Sequence, residues 1–343
     1  MLHRLPSSIA ILLCLATPGA AQPPSNGRTT TWTAPLTRDG HPDLQGVWLN
    51  KSATPLERPK ELEGRTFLTD EEVAWLRKRA ERIFSKDGRS DFAAGDGVFL
   101  AALSNPDTYK NPNATGDSSL VDREFDNRTS LIIDPPDGRI PPYTPLGQQR
   151  RATDLAAFLA RNSPARPQDL TLEQRCISFG VPRLGGNISA GGFGYYQIFQ
   201  TRNYLVFYME AIHDARIIPL DGRPHLPPSI RTWEGDSRGR WEGNTLIVDT
   251  TNFSSKTNFL GAGEDLHLTE RFSRVAPDEI RQEITVDAPA TWTHPWTVMV
   301  RLKRSDDKIF EFACHEGNVP IMETMLSGAS GTPKYSPQAP ERK

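Results

Sequence analysis

The sequence predicts a mainly β protein built on one antiparallel barrel, with one or two appended helices. Three observations carry this. From residue 195 onward, short segments of alternating apolar and polar residues follow one another with turns between them. No helix-like segment separates them, and a parallel sheet would need one at each crossover. Pro at 29 and Gly at 26 of 343 residues also break the chain too often for a mostly helical fold.

The elements follow in chain order. Residues 1–21 read as a secretory signal. Arg4 supplies its positive start, residues 9–16 its apolar run, and Gly19-Ala20-Ala21 a small-residue cleavage site. Residues 22–43 are polar and Pro/Gly-punctuated, which predicts an extended arm. Residues 44–49, Leu-Gln-Gly-Val-Trp-Leu, predict a first short strand. Thr69 and Glu72 form a capping box before a helix in which Val73, Leu76, Ala80, Ile83 and Phe84 share one face. Asp70, Glu71 and Glu72 suit the positive end of that helix.

Residues 86–128 read as a long loop, 129–133 as a strand, 135–138 as a turn, and 154–161 as a second, shorter helix. The glycines of 185–194 lack the strand and following helix of a dinucleotide site and read as loop. Strands are expected over 195–200, 204–218, 244–249, 296–302 and 309–315. Residues 267–274 and 280–287 form a hairpin alternating on both arms. The domain plan is therefore a signal peptide (1–21), an arm with the first strand and helix (22–128), a β-barrel domain (129–326) and a loose tail (327–343).

Charge and cysteines bound the function. Lys plus Arg number 40 and Asp plus Glu 42, a net charge of -2. That balance speaks against nucleic-acid binding by bulk electrostatics and against a polybasic membrane-surface binder. No segment beyond the signal is long and apolar enough to span a bilayer. Cys14 leaves with the signal. Cys176 and Cys314 remain, and an oxidising compartment lets them pair; two separate buried thiols are the other possibility. Without a Cys-x-x-Cys there is no thiolate zinc or redox motif.

Four blocks carry a resemblance: residues 41–48 (HPDLQGVW), 213–225 (HDARIIPLDGRPH), 235–243 (GDSRGRWEG) and 313–318 (ACHEGN). They resemble the signatures of a family of secreted bacterial proteins without an assigned activity. What that implies is common ancestry and no mechanism. The Gly46-Val47-Trp48 triplet on the first strand also resembles the start of calycin/lipocalin-like barrels.

The candidate chemistry lies in these blocks. Counting by two from Leu205 places His213 at the rim of an apolar face, with Asp214 and Arg216 on the opposite face. A rim histidine suits acid–base work near neutral pH. Arg223 and His225 follow a turn, where the guanidinium is suited to a carboxylate or phosphate. Gly235-Asp236-Ser237-Arg238-Gly239 matches the Gly-x-Ser-x-Gly pattern, but no helix follows. A structural loop is therefore expected, with Asp236 and Arg240 as site candidates. His315 and Glu316 adjoin Cys314, whose bridge to Cys176 would bring Arg175 and Arg183 toward His315. The histidines show no metal-binding spacing.

These residues predict an exported enzyme acting on a small organic molecule or glycoside, without cofactor or metal, as a hydrolase, lyase or isomerase. His315 and His213 exchange protons, Asp214 or Glu316 orients them, and Arg216, Arg223, His225, Arg231 and Asp236 bind substrate. A non-catalytic carrier of small ligands and a divalent-metal hydrolase are the alternatives.

Overall fold

The structure is a computed structural model and describes residues 32–84, 95–104, 123–160, 164, 166–178, 195–257, 259–311 and 313–328. The signal, Arg183, the glycine-rich loop and most of the expected tail lie outside the described residues.

Ten strands form one sheet: β1 (Gly46–Asn50), β2 (Ile132–Asp134), β3 (Tyr195–Gln200), β4 (Tyr204–Met209), β5 (Ala215–Pro219), β6 (Asp236–Glu242), β7 (Thr245–Thr251), β8 (His267–Ala276), β9 (Glu279–Asp287) and β10 (Trp296–Ser305). The order is β5-β4-β3-β1-β10-β9-β8-β7-β6, with β2 beside β10 and every pairing antiparallel. Alternation explains which side is buried. Leu246 and Val248 on β7, Leu268 and Phe272 on β8, and Ile280, Ile284 and Val286 on β9 meet Trp48, Ile198 and Phe207 in one core.

The mainly β, antiparallel expectation holds, but the sheet does not close into a barrel. No ladder joins the two edge strands β5 and β6. Side chains from the end of β5 pack against the backbone of β6 instead. A Cβ at Gly239 of β6 would lie 2.5 Å from Leu220 Cδ2 and 3.0 Å from Ile218 Cγ2. Apolar side chains thus fill the seam that a ladder would need for backbone.

Among the described residues four α-helices accompany the sheet, where one or two were expected. In α1 (Asp70–Phe84) the capping box forms: the Thr69 N–H donates to Glu72 Oε2 at 2.8 Å and the Glu72 N–H to Thr69 Oγ1 at 3.2 Å. Leu76 and Ala80 of α1 pack on Val98, Phe99 and Ala102 of α2 (Gly95–Ser104) in a second, smaller core. The sequence reading left α2 inside a loop. It is almost uniformly apolar, so it carries no two-faced helical pattern. The helix expected over 154–161 is α3 (Pro145–Ala160). Thr144 caps it, accepting from the Gly147 N–H at 3.0 Å, and Pro145 opens it. The fourth, α4 (Asn318–Gly328), replaces the barrel's expected end and the start of the tail.

Three further expectations are corrected. Residues 204–218 are two strands and a turn, residues 235–239 enter strand β6, and the described part of 309–315 is irregular. No helix among the described residues is long and apolar enough to cross a membrane.

Candidate functional site

The site begins at the turn between β4 and β5. The Met209 N–H donates to the Asp214 carbonyl at 2.8 Å and the His213 N–H to the Glu210 carbonyl at 3.2 Å. Ile212 (φ 59°) and His213 (φ 44°) both take the left-handed conformation, which a β-branched residue adopts only under strain. Two such residues shift the alternation. Arg216 therefore turns inward with Ile218, contrary to the count by two along one strand.

A disulfide supplies the second part. Cys176 and Cys314 are bonded, with Cα atoms 5.7 Å apart. It places the 313–316 segment beside the turn, so that the His315 ring lies 6.4 Å from the His213 ring, centroid to centroid. His213 Nδ1 is 3.6 Å from Glu311 Oε1, an ion-pair contact rather than a hydrogen bond.

The third part is Glu234, just before β6. Its carboxyl lies near enough to Asp214 to feel its charge, and it accepts from Ser178 Oγ at 2.6 Å. Burial pushes the Glu234 carboxyl up to about 7, and the negative charge of Asp214 adds to this; Ser178 and the Arg216 guanidinium pull weakly the other way.

Beneath the pair, Arg216 occupies the interior of the sheet. Its Nε donates to Ser237 Oγ at 3.1 Å, and its Nη2 donates to Thr250 Oγ1 at 2.8 Å and to Glu270. Glu270 is 0% exposed and also accepts from Gln282 Nε2 at 2.9 Å. Ser237 is a buried member of this network and makes no nucleophile elbow.

The other candidates lie elsewhere. Adjacent residues in a strand face opposite sides, so Asp236 and Asp249 lie on the side away from Ser237 and Thr250. His225 spans these two carboxylates, with Nδ1 at 2.9 Å from Asp236 and Nε2 at 2.9 Å from Asp249. His267 bonds the other Asp249 oxygen at 2.6 Å. That bond raises the His267 pKa, and the two imidazoles together hold the Asp249 carboxyl below its usual range despite its burial. Asp236 also accepts from the Leu226 N–H and from Arg238, so it and His225 fasten a loop.

Arg223 is exposed and paired with Asp221. Arg231 donates to the carbonyls of Phe253 and Glu264. Arg240 pairs with Glu242 at the surface. Glu316 is exposed. Of the sequence-predicted residues, His213, Asp214, Arg216 and His315 therefore come together, with Glu316 exposed beside His315 in the chain; the contacts of Arg223, His225, Arg231 and Asp236 lie elsewhere. Glu234 and Ser178 were missed. Glu234 had a signal, an acid directly before the Gly235–Gly243 block, but spacing alone could not pair it with Asp214.

Among the described residues, no group of three or more His, Cys, Asp and Glu side chains is arranged to hold a metal ion. Comparison with known proteins finds no matching family model, curated protein or solved structure.

Proposed function

We propose that the chain is an exported enzyme that acts on a small organic molecule or glycoside by acid–base chemistry, with the Asp214–Glu234 carboxyl pair at its centre. The carrying observation is that pair: two half-buried carboxyls lie near each other, and burial together with the Asp214 charge pushes the Glu234 carboxyl up to about 7. One member can donate a proton while the other accepts one, the division of labour that hydrolysis, elimination and isomerisation all use. The His213 and His315 rings lie at the same end of the sheet and carry protons to and from solvent. Arg216, anchored on Glu270, holds negative charge that develops on the substrate.

Three of the four sequence blocks contribute here: His213, Asp214 and Arg216 from one, Ser237 from the next and His315 from the last. The family resemblance and the calycin-like reading of the curled sheet belong to this proposal. The carrier reading asks for a hollow interior, yet Phe207 and Phe272 meet across it at 5.1 Å between centroids and neither is more than 5% exposed.

A screen of chromogenic esters and glycosides, run on the wild type and on D214N and E234Q, tests the reading. Both variants are expected to lose roughly 10²- to 10⁴-fold in rate on any substrate turned over, the usual worth of a positioned acid or base. Unchanged rates in both would overturn it.

A further inference from the structure

The segments joined by the disulfide stand apart from both hydrophobic cores: none of residues 171–178 or 313–318 belongs to either. Their contacts run to each other and to the candidate site. Asn318 Nδ2 donates to the Gln174 carbonyl at 3.1 Å. Ser178, 3% exposed, donates to Glu234. His315 lies against His213. Cys176 itself is 2% exposed and has a left-handed φ of 53°. The bridge thus links two pieces of chain that each touch the candidate site, one at Glu234 and one at His213.

We propose that the Cys176–Cys314 disulfide is a positioning element of the site: it clamps a two-piece cap over the Asp214–Glu234 pair, and its reduction by a dithiol opens that cap. The inference rests on the acid–base reading for its purpose, while the clamp itself is a matter of geometry. In the opening step the S–S bond takes two electrons and two protons from the dithiol. Cys176 and Cys314 become thiols, and the dithiol becomes its own disulfide. With the cap released, Ser178 leaves Glu234, water reaches the carboxyl pair, and His315 leaves His213.

Of the charged groups that act on Glu234 among the described residues, Asp214 from the β4–β5 turn and Arg216 from β5 then remain. Losing its burial lowers its proton affinity more than losing the Ser178 bond raises it, because burial is the largest influence on it. The acid would thus be poised for neutral pH only in an oxidising compartment, the setting in which disulfides persist.

The test follows the Glu234 carboxyl carbon by NMR in protein carrying ¹³C-glutamate, with E234Q for assignment. It compares oxidised wild type, wild type reduced with dithiothreitol, and C176S/C314S. Reduced wild type starts from folded protein, so the comparison survives if the double variant folds poorly. The expected result is a fall in the Glu234 midpoint of roughly 1–2 pH units toward the ordinary glutamate value of about 4.3. Faster amide exchange over 174–178 and 313–318, and loss of the His213–His315 ring NOE, should accompany it, with sheet amides unchanged.

An unchanged midpoint, exchange and NOE after reduction would overturn the proposal. An ordinary midpoint already in oxidised wild type would sink the acid–base reading instead. Exchange and the NOE would then still decide the clamp, its loss on reduction supporting it and its persistence overturning it. A midpoint that falls in D214N but not on reduction would leave the carboxyl pair standing and remove the disulfide from its control.

Discussion

Glu270 is the most demanding residue in the molecule. A carboxylate with no exposed surface is stable inside a sheet only because Arg216 and Gln282 satisfy it. E270Q leaves the Arg216 charge without its partner. It should therefore cost about 3–5 kcal/mol in a urea unfolding experiment, whereas replacing the pair together, as in R216M/E270L, should be near neutral or stabilising.

The outer histidines make a smaller, pH-dependent contribution. His267 titrates higher in the folded chain than the unfolded value of about 6.5, so its bond to Asp249 stabilises fully below that pH and is lost as pH rises through the folded value. Asp249 titrates lower than the unfolded value of about 3.9, so its share is present above that pH and is lost as pH falls through the folded value. Wild type should therefore exceed H267Q in stability most between about pH 4 and 6.5, with the difference shrinking toward pH 8 and toward pH 3. Water screens a ring that is 42% exposed, so the difference should stay below about 1 kcal/mol. Denaturant midpoints across that range measure it.

At the scale of elements, α3 is the informative helix. Its first turn docks on the 288–292 corner: the Thr144 N–H donates to the Thr291 carbonyl at 2.9 Å, and Thr144 Oγ1 donates to the Ala290 carbonyl at 2.6 Å. Gly147 makes this approach possible, since a Cβ there would lie 2.3 Å from the Thr291 carbonyl oxygen. Alanine would favour an isolated helix by about 1 kcal/mol. Here G147A should instead destabilise by roughly 1–3 kcal/mol, through a backbone atom that cannot rotate away. Thermal unfolding gives the sign, and a rise in midpoint would refute this account of the docking.

The same helix marks where sequence patterns stopped being readable. α1 was legible because its cap and its apolar stripe are local. The N-terminal half of α3 was not, because its short opening turn is specified by a partner far along the chain. The β4–β5 turn was hidden for a related reason: Ile212 and His213 sit in a conformation their residue types disfavour, so the run read as one strand.

At the scale of the whole molecule, the sheet buries the Arg216–Glu270 network, and the disulfide-joined segments reach Glu234 and His213. The strands of β7 to β10 were legible because one buried face forces strict alternation. The cysteine pairing was legible as one of two possibilities, but it pointed to Arg175 and Arg183 as the neighbours of His315, and only the fold brings His213 to it. The sequence by itself determined the mainly β class, the hairpin of β8 and β9, the first helix with its cap, and the residue types available for acid–base work. Those depend on neighbours within a few positions or on a repeat of two. Only the tertiary structure decided that the sheet edges meet without pairing, that His225 belongs to a loop fastening and not to the site, and that Glu234 stands against Asp214. Each of these depends on burial and on contacts between distant segments, and a carboxyl's proton affinity is set by what surrounds it, which no spacing along the chain records.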